Sequence, residues 1–133
     1  MTAKFLMKIS KKKKNRNDSV LVKRSEQSIQ YAMNQIQSSN ISPYVKRLIL
    51  YGSCARKTQS YQSDVDLLLE LDANVDTEKY HNDIMQLRGC VSPKNLDDPE
   101  VDLKIVIGKG WEQQKMLYFD NIKREGVELW AQE

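Results

Sequence analysis

The chain has 133 residues, 40% of them hydrophobic and 29% charged, proportions that exclude a disordered polymer and leave room for one globular domain but no second of normal size. No apolar run approaches the length of a helical membrane span. The net charge of +3 is uneven, because residues 1–24 set nine Lys and Arg against Asp18 alone and carry +8, which leaves −5 for the rest.

Residues 1–18 read as a basic, flexible arm: the run Lys11-Lys12-Lys13-Lys14-Asn15-Arg16 is too repulsive and too polar to pack, although residues 4–9 have the composition of a short edge strand. Phe5-Leu6-Met7 is too brief for the apolar part of a secretory signal, so the expected location is the cytoplasm. From Ser19 onward, Leu21/Val22, Ile29, Ala32/Met33 and Ile36 recur at helical spacing, and the Ser38-Ser39-Asn40 and Ser42-Pro43 stretches end that helix. A strand is predicted over 45–51, a turn at Gly52-Ser53, a short helix over 54–58 and a loop over 60–63. In the next strand Val65, Leu67, Leu69 and Leu71 share one face, and Asp64, Asp66, Leu68 and Glu70 the other. A helix is expected over 76–88, a turn-rich loop over 89–99, and a third strand over 101–107 with Asp102, Lys104 and Val106 on its second face. A last helix over 111–125, with Gly126 as its C-terminal cap, precedes a small strand over 127–130. The domain, residues 19–133, is thus α+β, a small mixed sheet of three to four strands with helices mainly on one face. Cys54 and Cys90 lack metal-like spacing and read as free thiols, and the single histidine, His81, reads as a surface residue.

Three aspartates fall on one side of this sheet. Asp64 and Asp66 would stand roughly 7 Å apart along their strand, and a neighbouring strand would bring Asp102 to about 5 Å. Two carboxylates about 4 Å apart repel by roughly 4 kcal/mol at an effective dielectric of 20, so such a group raises a pKa or recruits a hard cation such as Mg²⁺. The glycine at 52 permits close backbone approach, and the N–H groups entering the following helix, with the Ser53 hydroxyl, suit phosphate oxygens. Taken singly, each of these features is more often structural; the combination, flanked by apolar strands, is far rarer. Lys104 reads as a surface lysine at a strand end.

With these residues in place the chain resembles the polymerase-beta-type nucleotidyltransferase superfamily, and within it the minimal nucleotidyltransferases of prokaryotes. The resemblance is carried by Gly52-Ser53, the ten-residue spacer over 54–63, Asp64-Val65-Asp66, and Asp102 in Val-Asp-Leu-Lys-Ile-Val. Ala55-Arg56, Ser63 and the ending Ile122-Lys123-Arg124-Glu125-Gly126-Val127-Glu128-Leu129-Trp130 agree as well. Lys57 departs from the pattern, which often has glycine after the Ala-Arg pair, and the basic arm lies outside it. The resemblance implies that Asp64, Asp66 and Asp102 are catalytic and bind two Mg²⁺ ions. It implies that Gly52, Ser53, Arg56 and Ser63 bind the nucleotide, and that a nucleoside monophosphate passes from an NTP, expected to be ATP, to a hydroxyl. Larger members add a helical acceptor domain for which this chain has no room, so a partner or a homodimer is expected. Minimal members pair with small helical HEPN-type proteins in toxin–antitoxin systems. Two other outcomes stay open at this point: transfer to a small molecule such as an aminoglycoside, and an antitoxin that binds without catalysis. The basic arm offers a contact to nucleic acid.

Overall fold

The computed structural model describes residues 4–5, 16–60, 63–95 and 97–131. Among the described residues five strands form one mixed sheet: β1 (Lys4–Phe5), β2 (Val45–Tyr51), β3 (Val65–Leu71), β4 (Val101–Ile107) and β5 (Val127–Ala131), in the order β1-β5-β2-β3-β4. β2 lies antiparallel to β3 and to β5, and β1 antiparallel to β5. β4 is parallel to β3, and a parallel neighbour requires a crossover, which α3 (His81–Cys90) supplies. The sequence reads residues 1–18 as a flexible arm with the option of an edge strand over 4–9; Lys4 and Phe5 form β1 at the sheet edge, and residues 6–15, with the lysine run, lie outside the described residues.

The helix α1 (Arg16–Ser38) begins three residues before the expected Ser19. Its apolar face, Ile29, Ala32, Met33 and Ile36, buries against Leu48, Leu50, Leu67, Leu69, Leu103, Leu129 and Trp130 in the main core. The β3 alternation is as read: Val65, Leu67, Leu69 and Leu71 all face this core. α3 starts at His81 rather than at 76, because Asp76 closes a turn first, its Oδ1 accepting the Lys79 N–H at 3.0 Å and its carbonyl the Tyr80 N–H at 3.0 Å.

The other face of the sheet is less open than the sequence suggested. The expected helix over 111–125 is broken into a 3₁₀ turn, Gly110–Gln113, and α4 (Leu117–Glu125). Together they cover part of that face with a second core of Ile49, Tyr51, Leu68, Trp111, Phe119 and Ile122. The break has a tertiary cause: Trp111 is drawn to the sheet, where its indole Nε1 donates to Glu70 Oε1 at 2.7 Å while its ring packs against Phe119. Gly126 caps α4 as expected, but with φ −64° and ψ 140°, an extended conformation open to any residue. Space is what demands glycine there, since a Cβ would collide with the Ile122 carbonyl oxygen and stand 2.6 Å from Ile49 Cγ2.

Among the described residues no helix is long and apolar enough to cross a membrane. Neither cysteine is in a disulfide; Cys54 is buried and Cys90 exposed.

Candidate active site

β2 delivers the chain to the site at Tyr51, whose register partner on β3 is Asp66. The chain then turns at Gly52 with φ +75° into α2 (Gly52–Arg56). Glycine is required twice over: the left-handed backbone disfavours a side chain, and a Cβ would run into Asp66 Oδ2. The turn and the carboxylate are therefore packed directly on each other.

α2 ends one residue earlier than expected, at Arg56, and Lys57 takes the left-handed C-cap conformation at φ 61°. That explains how the chain tolerates its departure from glycine: the turn keeps its shape and Lys57 bears the strain. Lys57→Gly is expected to stabilise the protein by about 1 kcal/mol. A rise of roughly 3–5 °C in Tm would show it, and an unchanged or lower Tm would mean that Lys57 contacts outweigh the backbone cost.

Asp102 is brought to the same place from the other side. Ser28 on α1 donates to the Pro99 carbonyl at 2.9 Å, the Val101 N–H donates to Ser92 Oγ at 2.9 Å, and the Val65 N–H donates to the Glu100 carbonyl at 2.8 Å. These bonds fix the start of β4 so that Asp102 stands in register beside Asp66. Asp64, two residues before Asp66, is exposed, as is Asp102, whereas Asp66 is only partly accessible. The Cys54 thiol, buried under α2, donates to the Asp64 carbonyl at 3.6 Å.

This packing has an electrostatic consequence. Burial pushes the Asp66 carboxyl above the ordinary carboxylate value, the negative charges of Asp102 and Asp64 push it further, and Lys104 and Arg56 oppose them. Lys104, expected as a plain surface lysine, has its Nζ 3.7 Å from Asp102 Oδ2. Arg56 Nη1 donates to Glu125 Oε2 at 2.7 Å. Ser63, expected to bind nucleotide, here uses its hydroxyl on the preceding loop, accepting the Ser60 N–H at 2.8 Å. Gly52, Ser53, Arg56, Asp64, Asp66 and Asp102 thus converge on one end of the sheet. The sequence reading missed Glu125 as the partner of Arg56; it sits in the ending already recognised as familiar, but nothing in its spacing points to a residue 69 positions away.

Among the described residues no group of three or more His, Cys, Asp or Glu side chains is gathered to hold a metal ion by itself. The donor chemistry nonetheless fits a hard divalent cation: carboxylate oxygens, two of them exposed, with one carboxylate under repulsion that a cation would relieve.

Among solved structures, the chain is similar to a toxin–antitoxin complex crystallised with AMP-PNP, at 17% identity over 78% of this chain and 73% of that one, with a TM-score of 0.49. It is also similar to a candidate nucleotidyltransferase from Sulfolobus solfataricus, at 13% identity over 89% and 88% of the two chains, with a TM-score of 0.44. No protein of curated function matches it. The family model for the nucleotidyltransferase domain matches residues 33–129, a span that takes in the Gly52 turn, all three aspartates and Glu125. With that match covering well over half of the chain, the convergence of turn and carboxylates has its family: this chain belongs to the nucleotidyltransferase domain proteins.

Proposed function

We propose that this nucleotidyltransferase moves a nucleoside monophosphate from ATP to a hydroxyl on a partner protein, with Mg²⁺ held by Asp64, Asp66 and Asp102. The observation that carries the site is the packing of Gly52 on Asp66, with Asp102 in register alongside. A phosphate chain lying over a glycine turn would meet the carboxylates with no side chain between them. Two Mg²⁺ ions, the number expected from the resemblance, would supply charge neutralisation of the leaving pyrophosphate and a lowered pKa for the attacking hydroxyl.

The chain's own residues divide the work. Asp66, the least accessible of the three, forms the inner wall of the cation site. Gly52 and Ser53 hold the β- and γ-phosphates, with Arg56 close enough in charge to be felt at Asp66. Asp102, exposed on the edge strand, takes the proton from the acceptor hydroxyl.

The surroundings of Asp102 favour one class of acceptor. It opens onto a groove of about 460 Å³ along β4, lined among others by Arg88, Lys104, Val106 and Phe119. A broad, half-polar groove on a sheet edge suits a hydroxyl presented by a protein surface better than a small molecule enclosed on all sides. A helical HEPN-type toxin is the partner we place there, which makes the chain an antitoxin that acts by modification. Incubation with α-labelled ATP, Mg²⁺ and lysate is expected to label one protein band. Label appearing only in small molecules would move the acceptor to the aminoglycoside class, and no label in any fraction would leave docking without catalysis.

A further inference from the structure

Arg56 and Glu125 lie 69 positions apart in the chain and meet where α2 and α4 come together. The ion pair is short, 2.7 Å, and its two members differ in setting: the Arg56 side chain is 48% exposed and that of Glu125 22%. Glu125 is the last residue of α4, and its backbone is fixed by its neighbour, because Gly126 packs where no Cβ fits and donates its N–H to the Ile122 carbonyl at 2.8 Å. The carboxylate is thus supplied by a rigid element, the guanidinium by the short α2 helix beside Asp66. The second Glu125 oxygen faces Arg124 Nη2 at a loose 3.9 Å.

We propose that Glu125 is a positioning residue of the nucleotide site, which holds the Arg56 guanidinium ready for a phosphate oxygen; this rests on the reading of the Gly52 turn as the triphosphate site.

A guanidinium carries five N–H donors in a planar fork that matches phosphate geometry. Among the described residues the pair with Glu125 engages Nη1, so the plane is oriented while the other N–H donors of the fork can still turn to a ligand. An arginine tethered in this way loses less rotamer freedom when the nucleotide arrives, and such preorganisation tightens binding. Stability gives the pair no comparable purpose, since an ion pair with a half-exposed partner contributes little to folding. The charge of Arg56 is also felt at Asp66, where it favours the ionised carboxylate, so the tether places it near the carboxylates as well as near the turn.

The test is ATP affinity in excess Mg²⁺, measured by titration calorimetry on the full chain, with unliganded Tm recorded in parallel. Glu125→Gln should weaken binding about tenfold, the scale of one side chain left to be ordered on binding, while unliganded Tm moves by no more than about 2 °C. Arg56→Ala should weaken binding at least as much. In the Arg56→Ala background, Glu125→Gln should have no further effect, because it acts only through that arginine. The positioning role is overturned if Glu125→Gln binds ATP as the wild type does, or if it weakens Arg56→Ala by the same factor as the wild type. An unliganded Tm drop beyond about 5 °C in Glu125→Gln would also overturn it, by making the pair a support of the fold. If the wild type itself binds no ATP with Mg²⁺, the triphosphate reading falls and this inference with it, an outcome distinct from normal wild-type binding without a Glu125 effect.

Discussion

Asp66→Asn is expected to lower nucleotidyl transfer by more than about a hundredfold, since on the proposed reading it removes an inner cation ligand, yet to leave the unliganded protein at least as stable as the wild type. The second half of that result comes from the raised Asp66 pKa. A carboxyl held above its ordinary value of 3.8 by burial, and then by Asp102 and Asp64, binds its proton more tightly in the folded chain than in the unfolded one. Over the interval between the two values the native state holds more protons, so wild-type stability falls as pH rises through that interval and stays lower above it. Asn does not titrate. The Tm difference between variant and wild type should therefore be smallest near pH 3 and grow in favour of the variant towards neutrality. Mg²⁺ with ATP should reverse the order at pH 7, because it raises the Tm of the protein that binds it. Retained activity in Asp66→Asn, or a variant that melts lower than the wild type at pH 7 without ligand, would remove Asp66 from the centre of the site.

The largest loss of stability is expected at a residue with no part in the chemistry. Glu70 is 1% exposed and accepts hydrogen bonds from Arg47 Nη2 at 2.6 Å and from Trp111 Nε1 at 2.7 Å. Arg47 also pairs with Glu112 and lies over the Trp111 ring, 5.3 Å from its centroid. Glu70→Ala strands a buried indole N–H and half of a guanidinium's partners, which costs about 3 kcal/mol. Glu112, at the more exposed end of the same cluster, should cost less than about 1 kcal/mol when cut to Ala. Urea unfolding of the two variants separates these cases, with the midpoint of Glu70→Ala falling well below that of Glu112→Ala at similar m values. Equal midpoints would mean that the cluster is held by packing of Trp111 and Phe119 rather than by the buried carboxylate.

The contrast between these two residues marks how far the chain can be read from its order alone. Asp66 and Glu70 belong to one strand face by simple alternation, and the period of two placed both correctly. That Glu70 is buried depends on Trp111 arriving from 41 residues away, and nothing in the local pattern around either residue records the encounter. The broken last helix has the same origin: the local periodicity of 111–125 supports one continuous helix, and a tertiary hydrogen bond to Glu70 overrides it. Gly52 was legible because a turn, a strand end and an Asp-x-Asp motif coincide there. Gly126 was legible as a cap but not as a spacer, since the Ile49 methyl that forbids a side chain comes from a distant strand. Ser63 shows another limit: its position suggested a ligand contact, and the local pattern did not show that its hydroxyl also accepts the Ser60 N–H.

The parallel ladder between β3 and β4 bears on the order in which the site comes into being. β3 follows β2 closely in the chain and can pair with it early, but β4 joins at the sheet edge only after the chain has crossed over through α3. Non-local pairings of this kind form late and open first. Asp64, Asp66 and the Gly52 turn belong to the early-forming part, and Asp102 to the late one. With Asp102 in the catalytic role proposed for it, local fraying of β4 would disarm the enzyme while leaving most of its core intact, so that loss of activity on warming precedes global melting.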